Sequence, residues 1–506
     1  MIDTKALRQK ILDMAIKGKL VPQNPDDEPA SVLLERIRAE KQQLIKEGKI
    51  KKDKNDSIIY KGDDNRYYEN LPCGWSVSTL SQVTSSQLLN DGDWILSENM
   101  DPNGNVKLIQ LGSIGLMRYI DKGFKYLTED TFHKLSCTQI FPGYMLINRI
   151  ISDKMYACIL PQLEGKLITT VDTCWIAPKD EWYNLKYLMY FTSSTVFQSI
   201  VLHVSSGTTR KRISKSDLIH LPIYLPPLSE QQRIVSRVDE LFEQIDIIEK
   251  NQADIDALYD EFRKRTLTLA IQGKLVPQDP NDEPANVLLE RISAEKKAKL
   301  GKKYVDSYIY KGDDNCYYEH IAGRAQDELV EVPFDIPYGW SWCRLAIFAQ
   351  VLGGKRIPAG RQLTNENTGH YYIKVSDMKE NTVCLDKLQF VPTDIYPTIS
   401  RYIINKEDVY ITVAGTIGRV GTIPNELDGA NLTENADRIV IDEIDQHWLV
   451  KCLLSDVIQE QIKEATTKVG QPKLAIARIE KFLIPLPPLA EQKRIVAKIN
   501  EIFAML

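Results

Sequence analysis

The stretch SEQQRIVSRVDELFEQIDIIEKNQADIDALYDEFRKRTLTLAI (229–271) decides the fold, because apolar residues recur along it in alternating steps of four and three. Nine of the eleven positions so spaced are apolar or aromatic, and the eleven are Ile234, Val238, Leu241, Ile245, Ile248, Gln252, Ile255, Tyr259, Phe262, Thr266 and Leu269. A heptad pattern sustained over five repeats is typical of a coiled coil. The pattern predicts one helix about 64 Å long at ~1.5 Å per residue.

Both limits of this helix carry sequence signals. Pro226 and Pro227 precede it, and Ser229 with Gln232 resembles a capping box. Gly273 and Pro277 follow it as stop signals. A single apolar seam of this length needs a partner, although a core helix of an ordinary bundle is an alternative interpretation.

The two ends of the chain supply that partner in pieces. Ile495, Ile499, Ile502 and Leu506 match the first half of the seam, and Leu7, Ile11 and Met14 match its last part. The sequence therefore predicts antiparallel packing of two copies about a rough two-fold axis, with the C-terminal helix pairing with the N-terminal segment.

The chain contains an internal repeat, which is the strongest indication of its organisation. Residues 11–41 and 266–296 match at 23 of 31 positions. SIIYKGDDNRYYE (57–69) returns as SYIYKGDDNCYYE (307–319), and LPPLSEQQRIVSRVDELF (225–242) returns as LPPLAEQKRIVAKINEIF (486–503). Residues 81–220 and 346–481, in contrast, share little. Similar frames with dissimilar insertions predict two unlike recognition surfaces, whereas drift after gene duplication would erode both kinds of segment alike.

Each divergent block begins with Gly-Trp, at Gly74-Trp75 and Gly339-Trp340, which we expect to anchor a core. Residues 142–161 and 407–424 predict strand–turn–strand segments, and Leu185–Gln198 and Trp448–Glu464 predict helices. The predicted fold class is α+β: two α/β domains separated by a long antiparallel coiled coil, with a pseudo-two-fold internal repeat.

A polar loop closes each divergent block, SSGTTRKRISKSD (205–217) and TTKVGQPKLAIAR (466–478). Arginine and lysine neutralise phosphates, and arginine and glutamine form bidentate hydrogen bonds with guanine and adenine. Exposed basic loops are common, but their equivalent positions in two unlike blocks favour DNA contact. The predicted DNA-binding residues are Thr208, Thr209, Arg210, Lys211, Arg212, Lys215, Lys468, Gln471 and Lys473 in the loops, with Arg149, Lys355, Arg356, Thr416 and Arg419 in the preceding segments.

Composition sets the outer limits. The 506 residues suggest several domains, and the net charge of −5 argues mildly against a nucleic-acid binder, although binding depends on the local face. The eight scattered cysteines form no C-x-x-C pair, so neither a zinc site nor a disulfide scaffold is indicated. Without a signal peptide or a long apolar run, the chain is predicted to be cytoplasmic and without membrane contact.

The LPPL-x-EQ-x-RIV segments, the AIxGKLVPQ turns (15–23 and 270–278) and the duplicated Gly-Trp resemble the DNA-specificity subunits of type I restriction–modification systems. The resemblance implies two target-recognition domains on double-stranded DNA, each reading half of a bipartite, asymmetric site. It also implies that the conserved helices dock two methyltransferase subunits, with restriction–translocase subunits outside them. No cofactor is expected on this chain; S-adenosylmethionine, ATP and Mg²⁺ are expected on the partners. No base contact carries over, because recognition domains vary.

Under this resemblance the predicted domains are a conserved N-terminal helical segment (1–70), target-recognition domain 1 (71–225), a central conserved helical region (226–335), target-recognition domain 2 (336–487) and a C-terminal conserved helix (488–506). One departure from the family pattern is that the last helix stops at Leu506, just inside its seam, where the helix of related chains is expected to continue.

No catalytic or metal-binding arrangement is apparent in the sequence. Both Pro-Pro pairs read Leu-Pro-Pro-Leu, unlike the [DNS]-P-P-[YF] motif of DNA methyltransferases, and no G-x-x-x-x-G-K-[ST] loop is present. The sequence therefore favours a non-enzymatic specificity subunit. Two alternatives stay open: a self-contained methyltransferase or nuclease with a diverged site, and a scaffold that binds proteins rather than DNA.

Overall fold

The long helix predicted from the heptad pattern is present as one uninterrupted element, numbered in chain order as α8 (Leu228–Ile271, 44 residues). The computed structural model describes residues 2–50, 71–207, 211–301, 304–467 and 472–506. The chain forms two compact units, Met1–Ala253 (the first unit) and Asp254–Leu506 (the second unit), and their boundary lies within α8.

The first unit combines short helices with small sheets. Its elements before α8 are α1 (Thr4–Ile16), α2 (Ala30–Lys46), β1 (Ser76–Thr79), α3 (Leu80–Val83), β2 (Leu89–Asp91), β3 (Val106–Ile109), β4 (Phe124–Leu127), α4 (Glu129–Lys134), β5 (Met145–Asn148), β6 (Ile150–Ile151), β7 (Ala157–Ile159), β8 (Lys166–Thr169), β9 (Thr173–Ile176), α5 (Leu185–Thr192), α6 (Thr195–Val204), β10 (Lys211–Arg212), α7 (Lys215–His220) and β11 (Pro222–Leu225).

The second unit has the same kind of composition with more strands. After α8 it contains α9 (Ala285–Leu300), β12 (Ser307–Lys311), β13 (Tyr317–Ile321), β14 (Glu328–Val330), β15 (Ser341–Arg344), α10 (Leu345–Phe348), β16 (Ala349–Gly353), β17 (Tyr371–Ile373), β18 (Met378–Lys379), β19 (Thr382–Val383), β20 (Gln389–Phe390), α11 (Tyr396–Ile399), β21 (Ile403–Ile404), β22 (Val409–Thr412), β23 (Val420–Thr422), β24 (Ala430–Leu432), β25 (Ala436–Ile441), α12 (Gln446–Leu453), α13 (Asp456–Ala465), α14 (Ile476–Ile479), β26 (Leu483–Leu486) and α15 (Leu489–Ala504).

A four-stranded antiparallel sheet with the same strand order lies in each unit. The order is β2-β9-β5-β7 in the first unit and β16-β25-β22-β23 in the second. In both sheets the strand–turn–strand segment predicted from the sequence forms the pair β5–β7 or β22–β23. Each divergent block therefore contains its own sheet with the same strand order, although the sequences of the two blocks share little.

The chain enters and leaves each divergent block through neighbouring strands. β1 pairs antiparallel with β11, and β15 pairs antiparallel with β26. Trp75 and Trp340, just before β1 and β15, are buried, which confirms the Gly-Trp anchors. Each block is therefore an insertion whose two ends lie side by side.

Helices from the chain ends pack against α8, one in each unit. In the first unit Leu7, Leu12 and Ile16 of α1 join the core that contains Ile234 and Val238. Arg8 bonds Asp246 at 2.6 Å, while Gln23, beyond the other end of α1, bonds Glu230 at 3.1 Å, so α1 runs antiparallel to α8. In the second unit α15 buries Ile495 and Ile499 beside Leu267 and Ile271.

The middle of the predicted seam is exposed to solvent. Ile255, Tyr259 and Phe262 are exposed, whereas Ile234, Val238 and Ile245 are buried. The helix itself is confirmed, but a continuous coiled coil and the pairing of the two chain ends stay predictions.

α2 and α9 begin just after Pro29 and Pro284, and neither has a side-chain cap. One local prediction needs correction. The helices predicted at Leu185–Gln198 and Trp448–Glu464 are each broken into two, α5–α6 and α12–α13. The first break lies at Ser194, whose hydroxyl accepts a hydrogen bond from the amide of Phe197 and so starts a new helix.

The duplicated E-Q-x-R motif holds each block to its frame through matching contacts. Glu230 accepts a hydrogen bond from the Trp75 indole at 2.9 Å, and Glu491 accepts one from Trp340 at 3.0 Å. The other two positions repeat as well: Gln231 accepts from the amide of Asn184 and Gln492 from that of Asp445, while Arg233 pairs with Asp27 and Arg494 with Asp282. Among the described residues, no helix is both long enough and apolar enough to cross a membrane.

Candidate nucleic-acid interface

The predicted DNA-binding residues that the structure describes gather at one end of each four-stranded sheet. This end is formed by the last residues of β2 and β5 and the first of β9 in the first unit. In the second unit it is formed by the last residues of β16 and β22 and the first of β25. We call these two regions the first and second sheet ends.

At the first sheet end the closing loop adds a short strand. β10 pairs antiparallel with β6, and Arg212 forms a 2.8 Å salt bridge with Asp172. Lys211 is exposed and has no ion pair with another described residue. Thr208, Thr209 and Arg210 lie outside the described residues. Lys211 is thus the cation of this strand that is free to meet a phosphate.

Arg149 lies beneath the loop and not on its surface. Its side chain is 4% exposed, lies 3.7 Å from the carboxylate of Asp91, and donates a hydrogen bond to the carbonyl oxygen of Val171. Lys215 reaches the same Asp91 carboxylate at 3.3 Å and the side chain of Asn90. Arg149 and Lys215 therefore share one acid and hold the base of the loop, and Arg149 is not accessible to DNA in this arrangement.

At the second sheet end the loop approaches β22 in the same way. Lys473 forms an isolated antiparallel β-bridge with Ala414, and the amide of Lys473 donates a hydrogen bond to the Thr467 hydroxyl at 3.0 Å. Lys473 is exposed, whereas Lys468 and Gln471 lie outside the described residues. Backbone hydrogen bonds confirm the correspondence: Leu474 donates to Val413 as Ile213 donates to Arg149. Val413 thus occupies the position of Arg149.

Thr416 and Arg419 lie in the turn between β22 and β23 and are both exposed. Arg419 donates to the carbonyl oxygen of Met378 at 3.2 Å and lines an open cavity of about 580 Å³. Lys264 and Lys379 line the same cavity, together with the acids Glu380 and Asp456. This turn offers a cationic group beside a concave surface.

Lys355 and Arg356 follow β16 at the same end. Arg356 is exposed and pairs with Glu434 at 2.6 Å, and its pKa is raised mainly by that hydrogen bond. The ammonium of Lys355 lies 5.7 Å from the ring centre of Tyr402. The backbone amide of Lys355 donates a hydrogen bond to the carbonyl oxygen of Leu432, and in the first unit the amide of Asp93 donates the equivalent bond to Thr169. A lysine of the second unit therefore stands where the first unit has an acid.

Three acids at the sheet ends were not predicted from the sequence. Asp91 faces Cys174 across the first sheet, while at the corresponding pair of the second sheet Gly353 faces Asp437. Asp437 is buried, and burial raises its pKa to about 6 although Lys473 opposes the shift. Asp172, the third acid, pairs with Arg212 as described above. The sequence signal that could have found these acids is their position at the ends of predicted strands. In other respects they do not differ from surface acids.

A glycine is required where each edge strand leaves the sheet. A Cβ on Gly92 would lie 2.3 Å from the carbonyl oxygen of Thr169, and one on Gly354 would lie 2.1 Å from that of Thr433. At both sheet ends, two segments of backbone therefore pass close to each other at a glycine. The side chains around this crossing differ between the two ends.

The family model of the type I restriction modification DNA specificity domain matches residues 72–257 and 337–505. These residues cover both divergent blocks and most of α8. The chain belongs to this family. The specificity subunit is also similar to two proteins of Escherichia coli, the type I restriction enzyme EcoAI and EcoEI specificity subunits. They are 28% and 26% identical over 98% and 99% of this chain, and 88% and 89% of their own lengths.

A solved structure shares the fold of this specificity subunit. It comes from work on complex assembly and conformational transition of the type I restriction–modification system, and it covers 86% of this chain and 92% of its own, with a TM-score of 0.54 and 19% identity. Within the described part of the chain, no group of three or more His, Cys, Asp or Glu side chains could hold a metal ion. The family assignment and the fold together identify a DNA sequence-specificity subunit.

Proposed function

We propose that this specificity subunit reads a bipartite, asymmetric DNA site with its two sheet ends and positions two methyltransferase subunits and, through them, restriction subunits. The observation that carries the proposal is that two equivalent sheet ends present different side chains at equivalent positions. The exposed Lys355 corresponds to the half-buried Asp93, and beneath the two loops the buried Val413 corresponds to the buried Arg149. One fold with two chemistries suits two unlike half-sites.

The described candidate residues divide into two roles under this proposal. Lys211, Lys473, Thr416 and Arg419 are exposed and contact DNA, with Lys355 and Arg356 beside them. Arg149, Arg212 and Lys215 are engaged by Asp91 and Asp172 and hold the loop in place. The loop residues Thr208, Thr209, Arg210, Lys468 and Gln471 complete the proposed contacts.

The conserved frame sets the distance between the half-sites. We propose that α1 and α15 complete an antiparallel coiled coil with α8, related by a pseudo-two-fold axis. A helix of 44 residues is about 66 Å long at ~1.5 Å per residue, and a turn of B-DNA is about 34 Å. The frame therefore suits half-sites about one helical turn or slightly more apart.

The chain itself performs no catalysis in this proposal. S-adenosylmethionine, ATP and Mg²⁺ bind the partner subunits, and the complex acts on DNA in the cytoplasm. The type I relatives support this division, since their names describe specificity subunits.

The test compares substitutions at the two sheet ends with substitutions on the frame. In Lys211→Ala with Lys473→Ala, affinity for duplex DNA carrying the methylated motif should fall about tenfold at ~0.1 M salt. The slope of log affinity against log salt should decrease by about 2, one for each lost phosphate contact. Fluorescence anisotropy of the full chain measures both quantities, and the motif comes from mapping methylated bases in the source genome.

The matched control removes two exposed lysines, Lys250→Ala with Lys493→Ala, and should leave the affinity within about twofold, because these lysines lie on the helices α8 and α15 and not at the sheet ends. Equal losses in the two variants would contradict the assignment of the sheet ends. Methyl transfer by the isolated chain, or sequence-independent methylation by the reconstituted complex, would contradict the proposed function itself.

A further inference from the structure

Trp94 differs from every other tryptophan of the chain in its exposure to solvent. The chain has seven tryptophans, all of them among the described residues, and six are buried, with Trp75 the most exposed of these at 8%. Trp94 is 67% exposed, and its indole has no hydrogen bond or ring contact with another described residue. Single apolar side chains on a surface are common, so the position of Trp94 in the fold decides what its indole can meet.

Trp94 lies at the first sheet end, directly after the glycine crossing. The residue before it, Asp93, is held by two backbone hydrogen bonds of 2.9 Å, one to the carbonyl oxygen of Thr169 and one from the amide of Val171. The residue after it, Ile95, packs against a buried cluster of the first unit. The backbone is therefore fixed on both sides of Trp94, so little conformational freedom is lost when the indole meets a ligand.

Trp94 corresponds to Arg356 of the second unit, because the residues just before them form the equivalent backbone hydrogen bonds described above. The residue beside Arg356 changes as well. Arg356 pairs with Glu434 at 2.6 Å, and Val171 of the first unit stands in the position of Glu434, because the residues that follow these two accept equivalent backbone hydrogen bonds. An ion pair at the second sheet end is thus replaced by two apolar residues at the first.

An uncharged indole at a DNA-facing position suits a base and not a phosphate. The faces of stacked bases are covered by their neighbours, and the apolar group that a side chain can reach in the major groove is the methyl group of thymine. Trp94 lies within the matched DNA specificity domain, and Lys211 at the same sheet end is the exposed cation that can meet the backbone. The two side chains therefore supply different parts of one contact with DNA.

We infer that Trp94 is a specificity-determining residue for one half-site, which it reads through an apolar contact with a thymine methyl group. The inference rests on the proposed function, because that function assigns the sheet ends to DNA. At the other half-site the equivalent position carries the charged Arg356. One position of the fold therefore reads the two half-sites by different chemistry, which makes the recognised site asymmetric.

The first test measures the affinity of the full chain for motif DNA by fluorescence anisotropy over a range of salt concentrations. Trp94→Ala should weaken binding about tenfold, the loss typical of one base contact. The slope of log affinity against log salt should not change, because the lost contact releases no counterion, whereas Lys211→Ala should lower that slope by about 1. The loss in Trp94→Ala should vanish when one half-site is scrambled and persist when the other is scrambled.

The second test removes the methyl group from the DNA. Deoxyuridine in place of a thymidine of the half-site that Trp94 reads should weaken binding of the wild type at one position at least, and Trp94→Ala should not respond at that position. Trp94→Phe keeps an apolar ring and should recover most of the affinity that Trp94→Ala loses.

The exposure of Trp94 also allows a direct measurement on the wild type. Acrylamide quenches the fluorescence of exposed indoles, and the other six tryptophans are buried, so quenching reports on Trp94. Motif DNA should lower the quenching of the wild type toward that of Trp94→Phe, because the bound indole is covered.

The matched control is Phe141→Ala, which removes an aromatic side chain that is 47% exposed and precedes β5, at the other end of that strand from the first sheet end. It should bind DNA like the wild type, and urea unfolding should show that Trp94→Ala is as stable as the wild type.

The outcomes separate the role of Trp94 from the proposed function. Unchanged affinity in Trp94→Ala, an equal loss in Phe141→Ala, a loss that persists whichever half-site is scrambled, or a wild type that responds to no deoxyuridine overturns the role of Trp94 and leaves the proposed function standing. A wild-type chain that binds motif and fully scrambled DNA equally well overturns the proposed function, and the role of Trp94 with it.

Discussion

At the scale of residues, the two sheet ends each contain an acid, the half-buried Asp91 and the buried Asp437, contributed by different strands. Asp91 projects from the edge strand β2 toward Cys174, whereas Asp437 projects from the neighbouring strand β25 beside Gly353. Asp91 has two cationic partners, Arg149 and Lys215, whereas among the described residues Lys473 is the cation that lowers the pKa of Asp437. The second acid is therefore the less stabilised when ionised.

This difference predicts a pH-dependent stability for the second unit. Burial raises the pKa of Asp437 to about 6, above its ordinary value. Between about pH 4 and 6 the folded chain keeps a proton that the unfolded chain releases, so stability falls as pH rises and levels off above pH 6. At ~1.4 kcal/mol per tenfold change in acidity, the loss is at most about 3 kcal/mol.

Asp437→Asn should remove most of this loss, so urea unfolding at several pH values should show the variant gaining stability over the wild type as pH rises from about 4 to 6. Glu426→Gln, at an exposed acid, serves as the control and should keep the wild-type profile. A profile for Asp437→Asn that parallels the wild type would show that Asp437 does not ionise in this range.

At the scale of elements, the close crossing at each sheet end constrains the strands more than their sequence suggests. Gly92 follows β2 and lies against the backbone of Thr169 and Thr170, and Gly354 follows β16 and lies against Leu432 and Thr433. Backbone atoms cannot move aside as a flexible side chain can. These two positions have room only for the hydrogen atom of a glycine, which fixes the path of the chain as it leaves each edge strand.

Gly92→Ala should destabilise the first unit by about 3 kcal/mol or more, because the added methyl group overlaps backbone atoms, and should weaken DNA binding. Chemical denaturation and anisotropy measure the two effects. Gly112→Ala is the matched control: its Cβ would meet only a lysine side chain at 3.9 Å, so stability should change by about 0.5 kcal/mol or less. Similar stability of the two variants would refute the crossing constraint.

At the scale of the whole molecule, each unit has its own large core and its own copy of the frame contacts. One core joins α1 to the start of α8, and another joins α15 to the end of α8. Arg233 with Asp27 closes the first frame copy, and Arg494 with Asp282 closes the second. Equivalent pairs allow each unit to be perturbed separately.

Arg233→Ala should reduce the stability of the first unit by about 1–2 kcal/mol, since charged hydrogen bonds to a buried Asp27 are lost and the arginine is partly exposed. Arg494→Ala should do the same to the second unit. Hydrogen exchange of α2 and α9 reports on the units separately, and each variant is the control for the other. Equal loss of protection in both helices from either substitution would show that the units unfold as one.

The sequence predicted the parts of the fold that depend on periodicity and repetition. The heptad spacing gave α8 to within one residue, and the repeated motifs indicated where each block is attached. Periodicity could not show that Ile255 and Phe262 are exposed, because apolar spacing indicates which side of a helix can be buried but not whether another helix covers it. It also could not locate the break at Ser194, where one side-chain cap outweighs the apolar pattern.

The site was predicted in part for a related reason. Basic residues near the closing loops were predicted to form one surface in each block, and the described ones lie at one end of each sheet, while their contact with DNA stays a prediction. The burial of Arg149 depends on Asp91, which is far away in the chain, so composition alone made Arg149 resemble a surface contact. The position of Asp437 opposite Gly353 likewise depends on the register of β16 and β25, which a local sequence pattern does not give.

The paired strands at the base of each block have a genetic consequence. Because β1 and β11 lie side by side, as do β15 and β26, everything between them can be replaced without moving the points where the chain joins its frame. Under the proposed function, a recombination event between unrelated genes at these strands would transfer the preference for a whole half-site in one step. New specificities can then arise by exchange of cassettes, faster than point mutation could assemble them.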